Sequence, residues 1–398
     1  MKFKTLGLGS MLALSTVTMC AHADIKIGML AGITGGAAAL APDVIKGFEL
    51  AAKEVNEQGG VLNGEKLVGV LSDDGCSPQI AADAATKAVN VSQVVAMVGP
   101  LCSGAVLAAA NTATIPAGVA LISPGATSPQ VTLLKDKDTV FRTTPSDEYQ
   151  GQALARGMLA RGVKTIAVSF LNNDYGKGFA EAFKSEYEKQ GGKIAGYAAH
   201  EENKSSYRTD LAQLARGGAD TLLIIAYSNS SGITILREAL ENGFFANYVG
   251  GDGFKNTALI KTLGLENLKP LLVSAPISDS SSASEIFSKA MKANGGNPDA
   301  VYSASGYDAV FITALAIEVG RGERAKIPAA IRAVTKPGGE PILPGEWKKA
   351  KAFIDEGKAV TYNGASGALV FDANGDVPGS YGLFHAVGED FQKLTDMK

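Results

Sequence analysis

Histidine and cysteine are scarce in this chain, with three of each among 398 residues. The signatures of several enzyme classes are missing too. There is no GxSxG nucleophile turn, since Gly364-Ala365-Ser366-Gly367 has the wrong spacing. Neither HExxH nor the phosphate loop GxxxxGK followed by Ser or Thr occurs. Beyond the first stretch only His200 and His385 remain, and each reads as an ordinary packed or surface histidine rather than a base. The carboxylates lie mostly on charged helix faces and offer no pair for acid–base work. No catalytic residue, metal site or cofactor is therefore assigned. Two cysteines and two histidines scattered through the chain make a poor zinc site. Long apolar runs are missing as well: past residue 23 nothing reaches the ~18 uninterrupted apolar residues of a membrane span. Basic clusters are also lacking. Lys plus Arg number 37 against 40 Asp plus Glu, scattered along the chain, which argues against nucleic acid or an anionic membrane surface as partner.

What is present begins with an export signal. Lys2 and Lys4 precede an apolar stretch from Leu6 to Met19, and Ala21-His22-Ala23 has the small-x-small form of a cleavage site. Cleavage after Ala23 and a periplasmic location are expected. A lipid anchor at Cys20 is the lesser reading, because Met19 stands where a small residue is wanted. Removal of this segment takes away two positive charges and leaves a mildly acidic chain. It also leaves two cysteines, Cys76 and Cys102. An even count in an oxidising compartment predicts one disulfide, closing a loop of about 27 residues and worth roughly 3–4 kcal/mol; two unpaired buried thiols are the alternative.

From Asp24 onward strands and helices alternate. Ile25–Leu30, Leu67–Leu71, Val94–Val98 and Val119–Ile122 read as strands. Helical spacing runs from Val44 to Val55, with Asp43 as its cap, and over Ile80–Val91 and Ala105–Asn111. Phe141–Asp147 reads as a crossing segment, after which the series restarts with strands at Thr165–Phe170, Ile194–Ala198, Thr221–Ala226, Tyr248–Gly250 and Leu271–Ser274. Near the end, Ala368–Phe371 and Tyr381–Ala386 read as a strand pair joined at Asn374-Gly375. The fold class is α/β, with two doubly wound parallel-sheet units in tandem.

The stretch Val94–Pro129 carries the best binding signal. Its two apolar strands end in Gly99-Pro100-Leu101-Cys102-Ser103-Gly104 and Ser123-Pro124-Gly125-Ala126-Thr127-Ser128. In an open α/β sheet ligands bind beyond the carboxyl ends of the strands. Two Ser/Gly/Thr turns there offer hydroxyls and open backbone N–H groups to a small anion, most simply a carboxylate. In the second series Asn172–Gly176, Tyr227–Asn229 and Gly250–Gly253 also follow strands. Together they would suit a zwitterion, with Asp252 for the ammonium, Ser103 and Thr127 for the carboxylate, and Tyr175 and Tyr227 as walls. The plain alternative is that these are turn formers.

Taken in order, these segments resemble the periplasmic solute-binding proteins of branched-chain amino acid ABC transporters, which have the type I periplasmic-binding fold. The resemblance rests on Ile25–Gly32 with Thr34-Gly35, Asn56–Gly60, Asp73–Pro78, Gly99–Ser103, Ile122–Pro129, Phe141–Thr143, Asp174–Gly176 and Ile235–Arg237. It implies a Cys76–Cys102 disulfide, and a carboxylate grip by Ser103, Gly125, Ala126 and Thr127. It further implies closure by Tyr175 and Tyr227, and an ammonium partner at Asp252, where leucine-type members usually carry Glu. Leu40 stands by spacing where the family often has a pocket aromatic. These two departures widen the expected ligand from branched-chain to related amino acids, and as an alternative to aromatic or other small carboxylates or amides. A secreted hydrolase is the competing class. The implied organisation is one lobe of 24–145 with 277–378 and a second of 146–276 with 379–398, joined by three hinge strands. The implied partners are a small-molecule ligand and the permease subunits of the transporter, with the chain itself a monomer. The segment Glu340–Asn363 is longer than in leucine-type members.

Overall fold

The computed structural model describes residues 24–278 and 280–397. The expected signal segment and Cys20 lie outside these residues. Short apolar runs punctuated by glycine form the first sheet: β1 (Ile25–Ala31), β2 (Leu67–Asp73), β3 (Ala96–Val98), β4 (Ala120–Ser123) and β5 (Val140–Arg142). All its pairs are parallel, in the order β2-β1-β3-β4-β5. A second series, β6 (Thr165–Leu171), β7 (Lys193–His200), β8 (Thr221–Ile225), β9 (Asn247–Gly250) and β10 (Leu271–Ile277), repeats that order as β7-β6-β8-β9-β10. Each sheet therefore has a switch point where successive connections leave on opposite faces. It lies between β1 and β3 in the first and between β6 and β8 in the second, which is where a doubly wound sheet opens a crevice.

The second sheet is not purely parallel. Strands that follow the small parallel pair β11 (Glu340–Ile342) and β12 (Val360–Tyr362), namely β13 (Ser380–Val387) and β14 (Asp390–Met397), add to β10 as an antiparallel edge. This corrects the expected strand pair. Residues 368–371 form no strand, and Tyr381 pairs with β10 and β14 instead. The Asn374-Gly375 turn does form, closed by Asp372 N–H to Asp376 O at 2.8 Å, but it docks on β5 through Arg142 N–H to Gly375 O at 3.0 Å.

The chain passes between the sheets three times: after β5, after β10, and between residue 376 and β13. Between the second and third passes it returns to the first sheet. The helix Ser303–Gly320 is buried nearly all round, packs along the helix Ala41–Glu57, and is apolar on every face, as such a position demands. Helix Ala41–Glu57 starts earlier than its periodicity suggests. Pro42 fits a first turn, so Leu40 is the residue before the helix, and Asp43 lies within the first turn, accepting Asn297 N–H at 3.0 Å. The 340–363 segment builds β11, the helix Trp347–Asp355 and β12 into a cap on the end of that helix. Trp347 Nε1–H donates to Gly60 O at 2.9 Å.

Candidate functional site

The cleft is built from loops at the carboxyl ends of both sheets. Gly99, just after β3, has φ +77, and a Cβ there would lie 1.9 Å from Leu30 O, so only glycine fits this turn. The turn leads into Cys102, which is bonded to Cys76 after β2. Ser103 follows at once and is buried. Its Oγ accepts Ser128 N–H at 3.2 Å, which leaves its own proton available to an acceptor in the cleft.

The loop after β4 is held from behind. Ser123 Oγ accepts Ala126 N–H at 3.0 Å and donates to Pro100 O at 2.7 Å. The Ala126 backbone is thus already used, its carbonyl accepting from Arg142 as well. At Gly125 a Cβ would come within 3.2 Å of the Tyr302 ring, so the bare backbone lets the ring close in. Thr127 Oγ1 is buried and has no hydrogen-bond partner.

Across from this loop stands Asp252, in the turn after β9 and 2% exposed. Its Oδ1 accepts from Tyr175 Oη at 2.8 Å, and its Oδ2 from the Tyr302 hydroxyl. Tyr175 opens the helix Asp174–Lys189 after β6, and Tyr227 follows β8. Their rings stack 5.0 Å apart at 18°. A Cβ on Gly36, in the loop after β1, would lie 3.0 Å from Tyr227.

Two members of the cluster were not legible in the sequence. Asp147 begins the helix Asp147–Ala160, and its N–H donates to Thr127 O at 2.8 Å. Its carboxylate is fully buried beside the Thr127 hydroxyl, with no hydrogen bond of ordinary geometry to either oxygen. Burial, then the negative charge of Asp252, push it well above the ordinary carboxylate range; the Thr127 hydroxyl and Arg142 offset this only in part. Burial likewise raises Asp252, against the opposing hydrogen bonds of Tyr302 and Tyr175. Burial and the Asp252 charge hold Tyr175 and Tyr302 well above the usual phenol range, so both remain donors. Asp147 reads in sequence only as the end of the crossing segment Phe141–Asp147, and Tyr302 carries no local motif. Each gains meaning from partners more than a hundred residues away or on the other sheet.

The Leu40 side chain contributes apolar surface alone. It is buried in the apolar cluster that includes Leu101 and Tyr302, and it lines a cavity of about 240 Å³ with Asp43 and Asn256. His200 is elsewhere, buried under β7 between Ser169 Oγ at 2.8 Å and Ser231 Oγ at 2.9 Å. Burial lowers it to about 4, so it is neutral at physiological pH. His385 lies half-buried on β13. Among the described residues no group of acidic, His and Cys side chains is arranged to hold a metal ion, and no helix is long and apolar enough to cross a membrane.

Chemically, the arrangement is a dipolar cleft. Hydroxyls with free valences, from Ser103 and Thr127, lie on the first sheet's loops. Asp252 lies opposite, and Asp147 stands beside Thr127, close enough to feel the Asp252 charge. Arg142, whose charge bears on Asp147, is itself bound through Nε and Nη2 to Asp376. A buried carboxylate pair with no cation of its own is costly unless a cation arrives from outside.

Comparison with known proteins bears on this geometry. The model of a family described as "Receptor family ligand binding region" matches residues 45–389. A leucine-, isoleucine-, valine-, threonine- and alanine-binding protein of Pseudomonas aeruginosa is 30% identical over 314 residues, 78% of this chain and 83% of that protein. A leucine-binding protein, LivK, of Thermotoga maritima superposes with a TM-score of 0.80 at 26% identity, covering 94% of this chain and 98% of that one. LivJ of Streptococcus pneumoniae, a branched-chain amino acid transporter substrate-binding protein solved with isoleucine, gives 0.79 at 24% identity, covering 94% and 100%; at that identity the likeness bears on the fold. The fold is thus that of the type I periplasmic binding proteins.

Proposed function

The chain belongs to the receptor family ligand binding region family, and from that membership we propose that it is the solute-binding component of an ABC transporter, taking an amino-acid zwitterion into its cleft. The observation that carries this reading is a buried pair of acids, Asp147 beside the Thr127 hydroxyl and Asp252 across from it, with no cation from the described residues between them and with the Ser103 hydroxyl close by on the first sheet's loops. An α-ammonium between the two carboxylates supplies the missing cation. It also gives the Asp147 carboxylate a charged partner that the adjacent Thr127 hydroxyl does not supply. The α-carboxylate takes the protons of Ser103 and Thr127, and the open backbone at Gly125 allows close approach. Tyr175 and Tyr227 provide apolar walls with polar tips. A simple aromatic carboxylate would leave Asp147 and Asp252 uncompensated, so the amino acid is favoured over that alternative. Branched-chain amino acids head the candidates, on the strength of the named relatives.

In this reading the lobes are 24–145 with 277–378 and 146–276 with 379–398, hinged where the chain passes between the sheets. Ligand docks first on Ser103, Gly125 and Thr127, and the second lobe brings Tyr175, Tyr227 and Asp252. Closure is a two-state motion biased by contacts made in the closed form alone. Contacts between the halves fit that role: Asn256 Nδ2 donates to Ala39 O at 2.7 Å, and Ser128 Oγ to Asp174 O at 2.9 Å. The protein acts as a monomer in the periplasm after cleavage behind Ala23, and hands its ligand to a membrane permease without turning it over.

A thermal-shift screen with amino acids, amides and aromatic acids tests the proposal, because a ligand that binds the native state raises the midpoint by mass action. Stabilisation by L-leucine or another α-amino acid is expected. Stabilisation by benzoate alone, or conversion of a stabilising compound by the purified protein, would overturn it.

A further inference from the structure

Arg142 is wholly buried at the end of β5, and every arm of its guanidinium is engaged. Nη1 donates to three consecutive carbonyls, Ala126 O at 3.2 Å, Thr127 O at 3.0 Å and Ser128 O at 3.0 Å. Nε donates to Asp376 Oδ1 at 2.6 Å and Nη2 to Asp376 Oδ2 at 2.8 Å, a two-pronged ion pair. Nη2 also reaches Thr132 Oγ1 at 2.6 Å, and that hydroxyl in turn donates to Asp376 Oδ2 at 2.7 Å.

The partners lie far apart in the chain. The three carbonyls belong to the loop that carries Thr127. Arg142 stands immediately before the first pass between the sheets. Asp376 stands two residues before Pro378, on the third pass, where β13 joins the second sheet. One guanidinium therefore ties the ligand loop to two of the three segments on which the halves would turn. Stability alone gives little reason to keep such a group. Burying an ion pair costs about as much as it returns, and a well-packed apolar substitute would often serve as well. What the fork supplies is geometry: three consecutive carbonyls of the loop that carries Thr127, all fixed by one group.

We propose that Arg142 and Asp376 form a positioning clamp that sets the 125–128 loop relative to the hinge, so that Thr127 is held in binding geometry as the halves close. This rests on the amino-acid-binding reading above for its consequence, and on the contacts alone for its existence. Neither residue touches the ligand. Removing either loosens the loop from behind.

The test separates the clamp from the ligand. Hydrogen exchange is followed in ligand-free protein by mass spectrometry, in wild type and in Asp376→Asn. Faster exchange confined to residues 124–130, with β6 and β8 unchanged, is the expected result. Unchanged exchange at 124–130, or equal acceleration in both sheets, overturns the proposal. Calorimetric titration with L-leucine is the second arm. Asp376→Asn is expected to weaken binding about tenfold, Arg142→Lys to do the same because an ammonium cannot fork, and Asp376→Glu to recover part of the loss. Wild-type affinity in both Asp376→Asn and Arg142→Lys contradicts the clamp. If wild type itself fails to bind any α-amino acid, the functional reading falls while exchange still decides the clamp. Should Asp376→Asn not fold, Thr132→Val, which removes the bridging hydroxyl, is expected to give the same local exchange pattern at smaller amplitude. No local change in that variant overturns the proposal.

Discussion

The hydroxyl of Tyr302 donates to Oδ2 of Asp252, joining the residue that precedes the central helix of the first half to the turn after β9 in the second. In the proposed closure this bond crosses the cleft and forms as the halves come together. Tyr302→Phe removes it without changing the ring that lies against Gly125. L-leucine is expected to bind roughly 10–150-fold more weakly, the worth of about one hydrogen bond to a charged acceptor. The melting temperature of the free protein is expected to change little. Calorimetric titration beside a thermal melt checks both.

The two hydroxyls on the first half act in parallel. Ser103→Ala combined with Thr127→Val removes both carboxylate donors and also the acceptor for Ser128 N–H. Affinity for any carboxylate-bearing ligand is expected to fall by at least about a hundredfold, two charge-assisted bonds at roughly 1.5–3 kcal/mol each. A variant that keeps its affinity would move the carboxylate site elsewhere. Fluorescence or calorimetric titration reads the outcome.

Much of this architecture is visible in the residues themselves. Strands β1, β3, β4, β6, β8 and β9 are short apolar runs ended by glycine or polar turns, and buried strands of a parallel sheet can hardly look otherwise; β5 reads instead as part of the crossing segment Phe141–Asp147. Ser103 and Thr127 are visible because hydroxyls in glycine-containing turns after such strands have few other uses. The antiparallel edge is not visible. Most of β14 is exposed, so Asp390–Met397 carries no alternation of apolar and polar residues. The Asn374-Gly375 turn is a true turn, but it docks on β5 through Gly375 instead of joining two strands of a sheet. Asp147 and Tyr302 are hidden for another reason. Their significance lies wholly in what stands opposite them, and a helix-opening Asp or a lone Tyr has a sufficient local explanation. Arg142 is similar: the Phe-Arg-Thr segment marks a crossing, but only the fold brings three carbonyls and Asp376 around it.

The disulfide links stability to the site. Cys76→Ser with Cys102→Ser opens the bond next to Ser103. The chain-entropy model assigns it roughly 3–4 kcal/mol, so the melting temperature is expected to fall by several degrees. Affinity for L-leucine is expected to drop as well, since the loop presenting Ser103 loses its tie to β2. A melt and a titration on the same sample distinguish the two effects. A lower melting temperature with full affinity would mean that Ser103 is held by Ser128 and the helix alone.

Asp74 gives the chain a pH signature. It is buried beside the disulfide, with Oδ1 accepting Cys76 N–H at 2.8 Å and Oδ2 unpartnered. Burial raises it from 3.8 to about 7, against the Cys76 hydrogen bond and with the help of Asp73. Between these values the folded chain holds a proton that the unfolded chain has lost, so this group favours folding below its unfolded pKa. The contribution fades as pH rises through about 7. Asp74→Asn keeps the acceptor without the charge. It is expected to melt above wild type at pH 8, by an increment on the order of a few kcal/mol, with the gap narrowing at pH 5 and closing only below 3.8. Parallel melting curves at both pH values would remove Asp74 from the account.

The central claim is that Asp147 and Asp252 receive an ammonium. Titration calorimetry of the wild-type protein with L-leucine and with 4-methylpentanoate, the same carboxylate without its amino group, tests it most directly. L-leucine is expected to bind at least about a hundredfold more tightly, and Asp252→Ala to erase most of that difference, because a buried charge pair of this kind is worth roughly 2–5 kcal/mol. Equal or tighter binding of 4-methylpentanoate, or an Asp252→Ala protein that still prefers L-leucine by the same factor, would contradict it.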